Sequence, residues 1–194
     1  MSRRLESSDI CMSSTRHRII QESIKLFQRH GYHGTAVSAI LKAAKTPKGS
    51  LYHHFPKGKE EVASAALEWL TSEIVTFLHA RDEEGATGQN MLTGMAKFYG
   101  KFSMSKGTVR GSLIAVLASE CIPGSKRLSK ELAASISEIE AVLKRGFVRQ
   151  GVSDPAGAAV RSLALLEGAF LMNRIKGEQV DPILLIQDLG KHLD

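Results

Sequence analysis

The side chains with the clearest chemistry lie in one short segment, residues 35–59. This segment is rich in hydrogen-bond donors and cations. Its pattern predicts two short helices separated by a turn of roughly three residues. The apolar side chains Val37, Ile40, Leu51 and Phe55 are placed to lock these helices together. This layout predicts a helix-turn-helix, whose second helix enters the major groove of duplex DNA.

The residues expected at a DNA interface lie on the second helix or beside it. Lys48 can reach a guanine edge or a phosphate, Gly49 lets the backbone come close, and the polar side chains that follow can donate to phosphates or bases. Lys59, at the start of the next helix, is expected to meet a phosphate together with the free N–H groups there. The full predicted set is Thr35, Lys45, Thr46, Pro47, Lys48, Gly49, Ser50, Tyr52, His53 and Lys59.

Positive charge is concentrated in the first third of the chain. Residues 1–60 contain 11 Lys and Arg against 4 Asp and Glu, whereas residues 61–194 contain 15 against 16. The whole net charge of +6 therefore comes from the segment with the predicted helix-turn-helix. Binding to a polyanion needs such a footprint, because neutralising phosphates releases counterions. A solvated basic face is the alternative interpretation.

Helical periodicity runs through almost the whole chain, and Gly and Pro fall between the periodic segments. We predict an all-α protein in which Thr35 and Thr46 cap the second and third helices, with Pro47 at the first helical position. The predicted domains are a disordered arm (1–14), a helix-turn-helix domain (15–57) and a helical domain (58–194). The nine predicted helices cover about 15–30, 36–44, 47–54, 59–80, 89–104, 112–121, 125–150, 155–176 and 181–192.

The eighth helix is apolar on nearly every face, which predicts one face on the core and another against a partner. The residues expected at a dimer interface are Ala158, Ser162, Leu165, Ala169, Ile183 and Ile186. Aromatic and aliphatic side chains of the same domain can line a ligand pocket, or serve as plain core. This candidate set is Trp69, Phe98, Phe102, Leu113, Leu117, Leu166 and Phe170.

Few other residues have the spacing of a reactive site. Cys11 and Cys121 fit neither a metal site nor a disulfide framework, and the adjacent His53 and His54 cannot chelate one metal from a helix face. Glu120 and Glu167 have apolar neighbours and could meet a cationic ligand or pair internally with Arg or Lys. We find no nucleophile–base pair or phosphate loop. The sequence predicts no enzyme activity, cofactor, metal or membrane span, and a cytoplasmic location.

The run FQRHGYHGTAVSAILKAAKTPKGSLYHHFPKGKEEVASAAL resembles the DNA-binding region of the TetR family of repressors. The resemblance covers about Arg16 to Leu67, and KGSLYHHF is its most specific part. Lys45 stands where a turn glycine is usual, and Thr46-Pro47 where an apolar residue and serine are usual. The proline and the following FPKGKE resemble the LmrA/YxaF-type subgroup. In the subgroup's counterpart of GSLIAVLASE a cysteine often follows the first glycine, where this chain has Ser112.

The resemblance implies a homodimer that binds a palindromic DNA operator through helices one to three. It also implies a ligand pocket in the later helices and a four-helix dimer interface formed by the last two. Binding of a small, largely apolar effector would move helix four and release the operator. Two alternatives differ in kind: a basic helical module that meets an acidic protein or a membrane surface, and an enzyme that uses the C-terminal cavity.

Overall fold

The computed structural model describes the backbone of residues 7–105, 108–109 and 111–176, and the side chains of 15–98 and 111–176. Within these ranges the chain is all-α apart from one short antiparallel ribbon, which confirms the predicted fold class. The ribbon pairs Met104 with Val109 in the expected link between two helices. The helices are α1 (Ser7–His30), α2 (Val37–Ala43), α3 (Lys48–His54), α4 (Lys59–Glu83), α5 (Gly88–Ser103), α6 (Leu113–Cys121), α7 (Lys126–Gln150) and α8 (Pro155–Lys176), and the strands are β1 (Met104–Ser105) and β2 (Thr108–Val109).

Two helix predictions need comment. Helix α1 begins at Ser7, within the arm that the sequence analysis expects to be disordered, and eight residues before the predicted start at residue 15. No Gly or Pro stands between Ser7 and His30, and nothing in the backbone chemistry stops the helix earlier. The predicted ninth helix, residues 181–192, lies outside the described residues.

A small apolar core holds the first three helices together as a head. Ile20, Ile24 and Phe27 of α1 are at most 3% exposed, and Leu51 and Phe55 pack against them with no exposed surface. Burying a side chain of this size stabilises a fold by roughly 1.5–3 kcal/mol. The head is therefore a packed unit that fixes how α3 is presented.

The rest of the chain forms a helical body around α4 and α7. Gly88 and Gly146 allow α5 to approach α7 closely, because a Cβ at Gly146 would lie only 2.9 Å from the Gly88 backbone. At the far end of α4, the Asp82 carboxylate accepts a 2.6 Å hydrogen bond from Arg145 Nε and another from Arg149. These contacts hold α4, which begins at the head, against the centre of the body.

Helix α8 packs on α7 and has a mixed surface. Among the described helices it alone is long and apolar enough to pass a length-and-composition test for a membrane span. That test is weak evidence, because the core helix of a soluble protein passes it too, and 39% of the most apolar stretch of α8 is buried inside the fold. Its exposed apolar positions are considered with the candidate dimer residues below.

Candidate nucleic-acid interface

The turn between α2 and α3 has the geometry of a helix end closed by a left-handed residue. Lys45 has φ +52°, so the position that usually favours glycine is left-handed here as well. The amide of Thr46 donates to the Leu41 carbonyl at 3.0 Å, and the amide of Lys45 donates to Lys42 at 3.2 Å. A lysine in this conformation costs roughly 1 kcal/mol relative to glycine, and it adds a positive charge on the exposed side of the turn.

Helix α3 separates its buried and exposed side chains cleanly. Leu51 is fully buried, whereas Lys48, Gly49 and His53 are exposed and Tyr52 keeps 53% of its surface. No atom lies within 4 Å of the place where a Cβ of Gly49 would stand, so the backbone there is open to a large partner. The exposed face presents donors and a cation on a helix about 10 Å long, which suits a DNA groove.

The structure gives two predicted DNA-contact residues a different role. Thr35 is 1% exposed and its hydroxyl donates to the Gly31 carbonyl at 2.7 Å, so its side chain does not face DNA. The ammonium of Lys59 donates to the carbonyls of Tyr32 at 3.0 Å and Thr35 at 3.2 Å, and lies 4.4 Å from the Tyr32 ring centroid. Lys59 is therefore a clamp that joins α4 to the loop after α1, rather than a free phosphate ligand.

The predicted helix caps also differ from the observed ones. The residue at the N-cap of α2 is Ala36, and that of α3 is Pro47, so Thr35 and Thr46 do not cap through their side chains. The Thr46 hydroxyl is buried and has no hydrogen-bond partner among the described residues. The Thr46 amide donates to the Leu41 carbonyl and so helps to close α2.

The two adjacent histidines at the end of α3 have different surroundings. Burial lowers the pKa of His54, and the neighbouring His53 and Arg16 lower it further. The Arg16 guanidinium lies 5.3 Å from the centroid of the buried Phe55 ring. His54 is thus a neutral packing residue at physiological pH, whereas His53 is exposed on the candidate surface. Among the described residues no three His, Cys, Asp or Glu side chains form a metal-binding group.

The candidate ligand residues lie mostly in the core of the body. Leu113, Leu117, Leu166 and Phe170 are at most 3% exposed, within one continuous apolar cluster. Trp69 and Phe98 are partly buried at the edge of that cluster. The side chain of Phe102 lies outside the described residues. The four buried side chains thus belong to one core cluster. Of the described candidates, only Trp69 and Phe98 keep surface that a ligand could contact.

The candidate dimer residues need a correction. Ala158, Ser162 and Ala169 are at most 3% exposed because they face the protomer's own core, so their side chains cannot meet a second copy. Leu165 is half-buried, and Ile183 and Ile186 lie outside the described residues. The exposed apolar side chains of α8 follow a different stripe at helical spacing: Val160, Leu171, Met172 and Ile175. The three small residues therefore lie on the buried face of this evenly apolar helix.

A junction between head and body was not predicted. The Glu120 carboxylate, near the end of α6, accepts a 2.7 Å hydrogen bond from the His33 amide. The His33 Nε2 lies 3.0 Å from the Glu120 carbonyl oxygen. Gly31 has φ +80°, and a Cβ there would collide with the Glu120 carboxylate. The only sequence signal for this contact was an acidic residue among apolar ones.

Comparison with known proteins places the chain among bacterial regulators. Residues 19–66 match the family model for bacterial regulatory proteins, tetR family. The uncharacterized HTH-type transcriptional regulator YxaF of Bacillus subtilis is 30% identical over 178 residues, 90% of this chain and 92% of that protein. The HTH-type transcriptional regulator LmrA of the same organism is 28% identical over 178 residues, 89% and 92% of the two chains.

Solved structures show the same fold. A TetR transcriptional regulator from Legionella pneumophila has a TM-score of 0.79 at 19% identity, covering 88% of this chain and 94% of its own. A cysteine mutant of the regulator CifR, in complex with a 26bp operator duplex, has a TM-score of 0.68 at 19% identity, covering 89% and 93%. At this identity the likeness concerns the fold alone.

Proposed function

Since the chain belongs to the TetR family of bacterial transcriptional regulators, we propose that it reads an operator through the exposed face of α3. The observation that carries this proposal is the division of α3 into a locked face and an open one. Leu51 fixes the helix to the head, while Lys48, Gly49, Tyr52 and His53 face outward. The net charge of +7 on residues 1–60 supplies the general attraction to phosphates.

Contacts to DNA fall into two groups. Lys48, Ser50, Tyr52 and His53 are the residues that we assign to base edges and nearby phosphates on the basis of their place on α3. The turn residues Lys45 and Pro47 are exposed beside that helix, and Lys45 is assigned to the phosphate backbone because of its charge. Thr35, Thr46 and Lys59 are not assigned to DNA. The hydroxyl of Thr46 is buried, and the other two side chains bond to backbone carbonyls within the protein.

Two copies of the chain are expected to bind one palindromic operator. The exposed stripe of α8, which contains Val160, Leu171, Met172 and Ile175, is the surface that we assign to the partner. Exposed apolar patches on a protein surface mark interaction sites when they are large. A twofold interface of this kind pairs the same surface on both protomers and places two heads at a fixed separation.

The natural output that we propose is repression relieved by a small molecule bound in the body, inside the cytoplasm. The relatives are transcriptional regulators by name, which supports a binding protein rather than an enzyme. Control then requires that the ligand binds one arrangement of head and body better than another. The contacts of Lys59 and Glu120 with the loop after α1 are the physical links through which such a difference reaches α3.

The decisive experiment is a mobility-shift titration with a palindromic site upstream of the gene. Lys48→Ala and Tyr52→Ala are each expected to weaken specific binding by about 1–3 kcal/mol, or roughly 5- to 150-fold. Lys144→Ala, an equally exposed lysine on α7, is the matched control and should leave the affinity within about twofold. Unchanged affinity in both head variants would remove α3 as the reading surface.

A separate experiment addresses the dimer. Leu171→Glu places a charge in the exposed stripe of α8 and is expected to shift the protein toward monomer in sedimentation analysis. Ala133→Glu, on the exposed side of α7, is the control and should keep the wild-type mass. A Leu171→Glu protein that sediments as wild type would show that this stripe is not the dimer interface.

A further inference from the structure

A small cleft lies between α6 and α8, outside the set of residues assigned above to ligand or DNA. Its volume is about 120 Å³, roughly four water molecules at their liquid volume. Ala115 and Val116 of α6 and the half-exposed Leu171 of α8 give it apolar walls. Such a space fits a head group or a short chain, and its rim residue Leu171 also belongs to the stripe assigned above to the partner.

One carboxyl group in this cleft lacks the partners that burial demands. The Glu167 Oε2 atom is buried and has no hydrogen-bond partner among the described residues. The Ser112 hydroxyl donates a hydrogen bond to the carboxylate, but burial outweighs it and raises the pKa of Glu167 to about 7. A buried acceptor without a donor is costly. The Glu167 Oε2 atom can therefore accept a hydrogen bond from a ligand or bind a cation.

The charges around the cleft favour a cationic ligand. Among the described residues, the other ionisable side chains that line it are Glu120 of α6 and Arg174 of α8. With the carboxylates of Glu120 and an ionised Glu167 against the single cation Arg174, these three groups carry a net charge of −1 beside apolar walls. The His33 amide donates to Glu120 but does not cancel its charge. An anion would add to that charge, whereas an ammonium group would neutralise it and satisfy the free oxygen.

We propose that this cleft binds the head group of an amphipathic amine, with Glu167 as the carboxylate that accepts the ammonium N–H. The apolar part of the ligand packs on Ala115 and Val116. The claim that this amine regulates DNA binding rests on the proposed function, because it makes the cleft the effector site.

Helix α6 connects the cleft to the head. Its N-cap, Ser112, bonds to Glu167, and Glu120 near its other end bonds to His33. The nine residues of α6 span about 13 Å. A ligand that displaces the Ser112 end must therefore move or strain the Glu120 contact with the head, which gives an amine a direct route to the orientation of α3.

Calorimetry with a matched pair of probes tests the site. n-Hexylamine is expected to bind the full-length wild-type protein at least tenfold more tightly than n-hexanol, and Glu167→Gln should abolish that preference. Because the group titrates near pH 7, amine binding should release about 0.9 proton at pH 6, 0.5 at pH 7 and 0.1 at pH 8. Glu83→Gln, at the exposed end of α4, is the control and should behave as wild type.

The results separate this inference from the proposed function. Equal binding of the two probes, a Glu167→Gln protein that still prefers the amine, or wild-type binding without proton release would each overturn the cleft assignment. The proton measurement uses only the wild type, so it holds even if the variant does not fold. A protein that shifts its operator but shows no amine preference overturns the inference alone. Amine preference without any operator binding overturns the proposed function alone.

Discussion

Replacing Glu167 by Gln tests how much the buried carboxyl group costs the fold. Its pKa is raised from 4.5 to about 7, chiefly by burial. At about 1.36 kcal/mol per pKa unit, ionising this group in the folded protein costs on the order of 3 kcal/mol. Glutamine has the same shape and can accept the Ser112 hydroxyl hydrogen bond, but it carries no charge. Glu167→Gln should therefore stabilise the protein when the wild-type carboxyl is ionised.

The sign of the effect depends on pH in a definite way. Below about pH 4.5 the carboxyl is protonated in both the folded and the unfolded chain, and the substitution changes little. Between about pH 4.5 and 7 the folded protein binds more protons than the unfolded chain, so wild-type stability falls as pH rises. Above pH 7 the penalty is complete, and the gain from Glu167→Gln reaches its full value.

Urea denaturation of wild type, Glu167→Gln and the control Glu83→Gln at pH 5 and pH 8 measures this difference. We expect Glu167→Gln to exceed wild type by about 3 kcal/mol at pH 8 and by less than about 1 kcal/mol at pH 5. The control should match wild type at both values. A gain that is the same at both pH values, or a Glu167→Gln protein less stable than wild type at pH 8, would refute the assignment of an uncompensated buried charge.

Three further substitutions test other parts of the structure. Lys45→Gly should raise the free energy of unfolding by about 1 kcal/mol, because φ +52° suits glycine; no gain in urea denaturation would contradict a strained turn. Lys59→Met removes the donor to two backbone carbonyls and should lower thermal stability by roughly 1–3 kcal/mol; a loss of operator affinity without loss of stability would restore it as a phosphate ligand. Asp82→Asn should cost on the order of 1 kcal/mol at pH 7. Burial acts to raise the pKa of Asp82, but hydrogen bonds from Arg149 and Arg145 outweigh it and lower that pKa. The stabilisation is therefore present above about pH 4 and lost as pH falls through the lowered pKa, and a cost unchanged at pH 2.5 would contradict it.

Local patterns predicted the helical elements well, whereas the DNA-reading surface stays a prediction. The first predicted helix, about 15–30, ends at the same residue as α1, because helical period and glycine punctuation act within a few residues. The resemblance marked Lys45 as the position of a usual turn glycine, and the structure shows a left-handed backbone there. The exposed face of α3 could be deduced once Leu51 was assigned to the core.

Long-range contacts could not be predicted in the same way. Lys59 and Tyr32 are 27 residues apart, and nothing in either neighbourhood shows that the amine meets that carbonyl rather than a phosphate. The faces of α8 were ambiguous because both are apolar; only the packing of α7 against it shows that Ala158 points inward and Val160 outward. Glu167 was recognisable as an acid among apolar residues, but whether a described cation pairs with it is a property of the folded neighbourhood, and none does.

The loop after α1 couples the body to the head, because both α4 and α6 form hydrogen bonds with it. It is held by Lys59 of α4, through two carbonyls, and by Glu120 of α6, through the His33 amide. At about 1 kcal/mol net for each hydrogen bond, losing this set in one arrangement of the body and keeping it in another separates the two by about 3 kcal/mol. That is the size of coupling that changes an affinity by roughly 150-fold. A ligand which displaces α4 or α6 by enough to break these bonds can therefore control operator binding without touching α3. Conversely, a bound operator that fixes the loop must weaken such a ligand by the same factor.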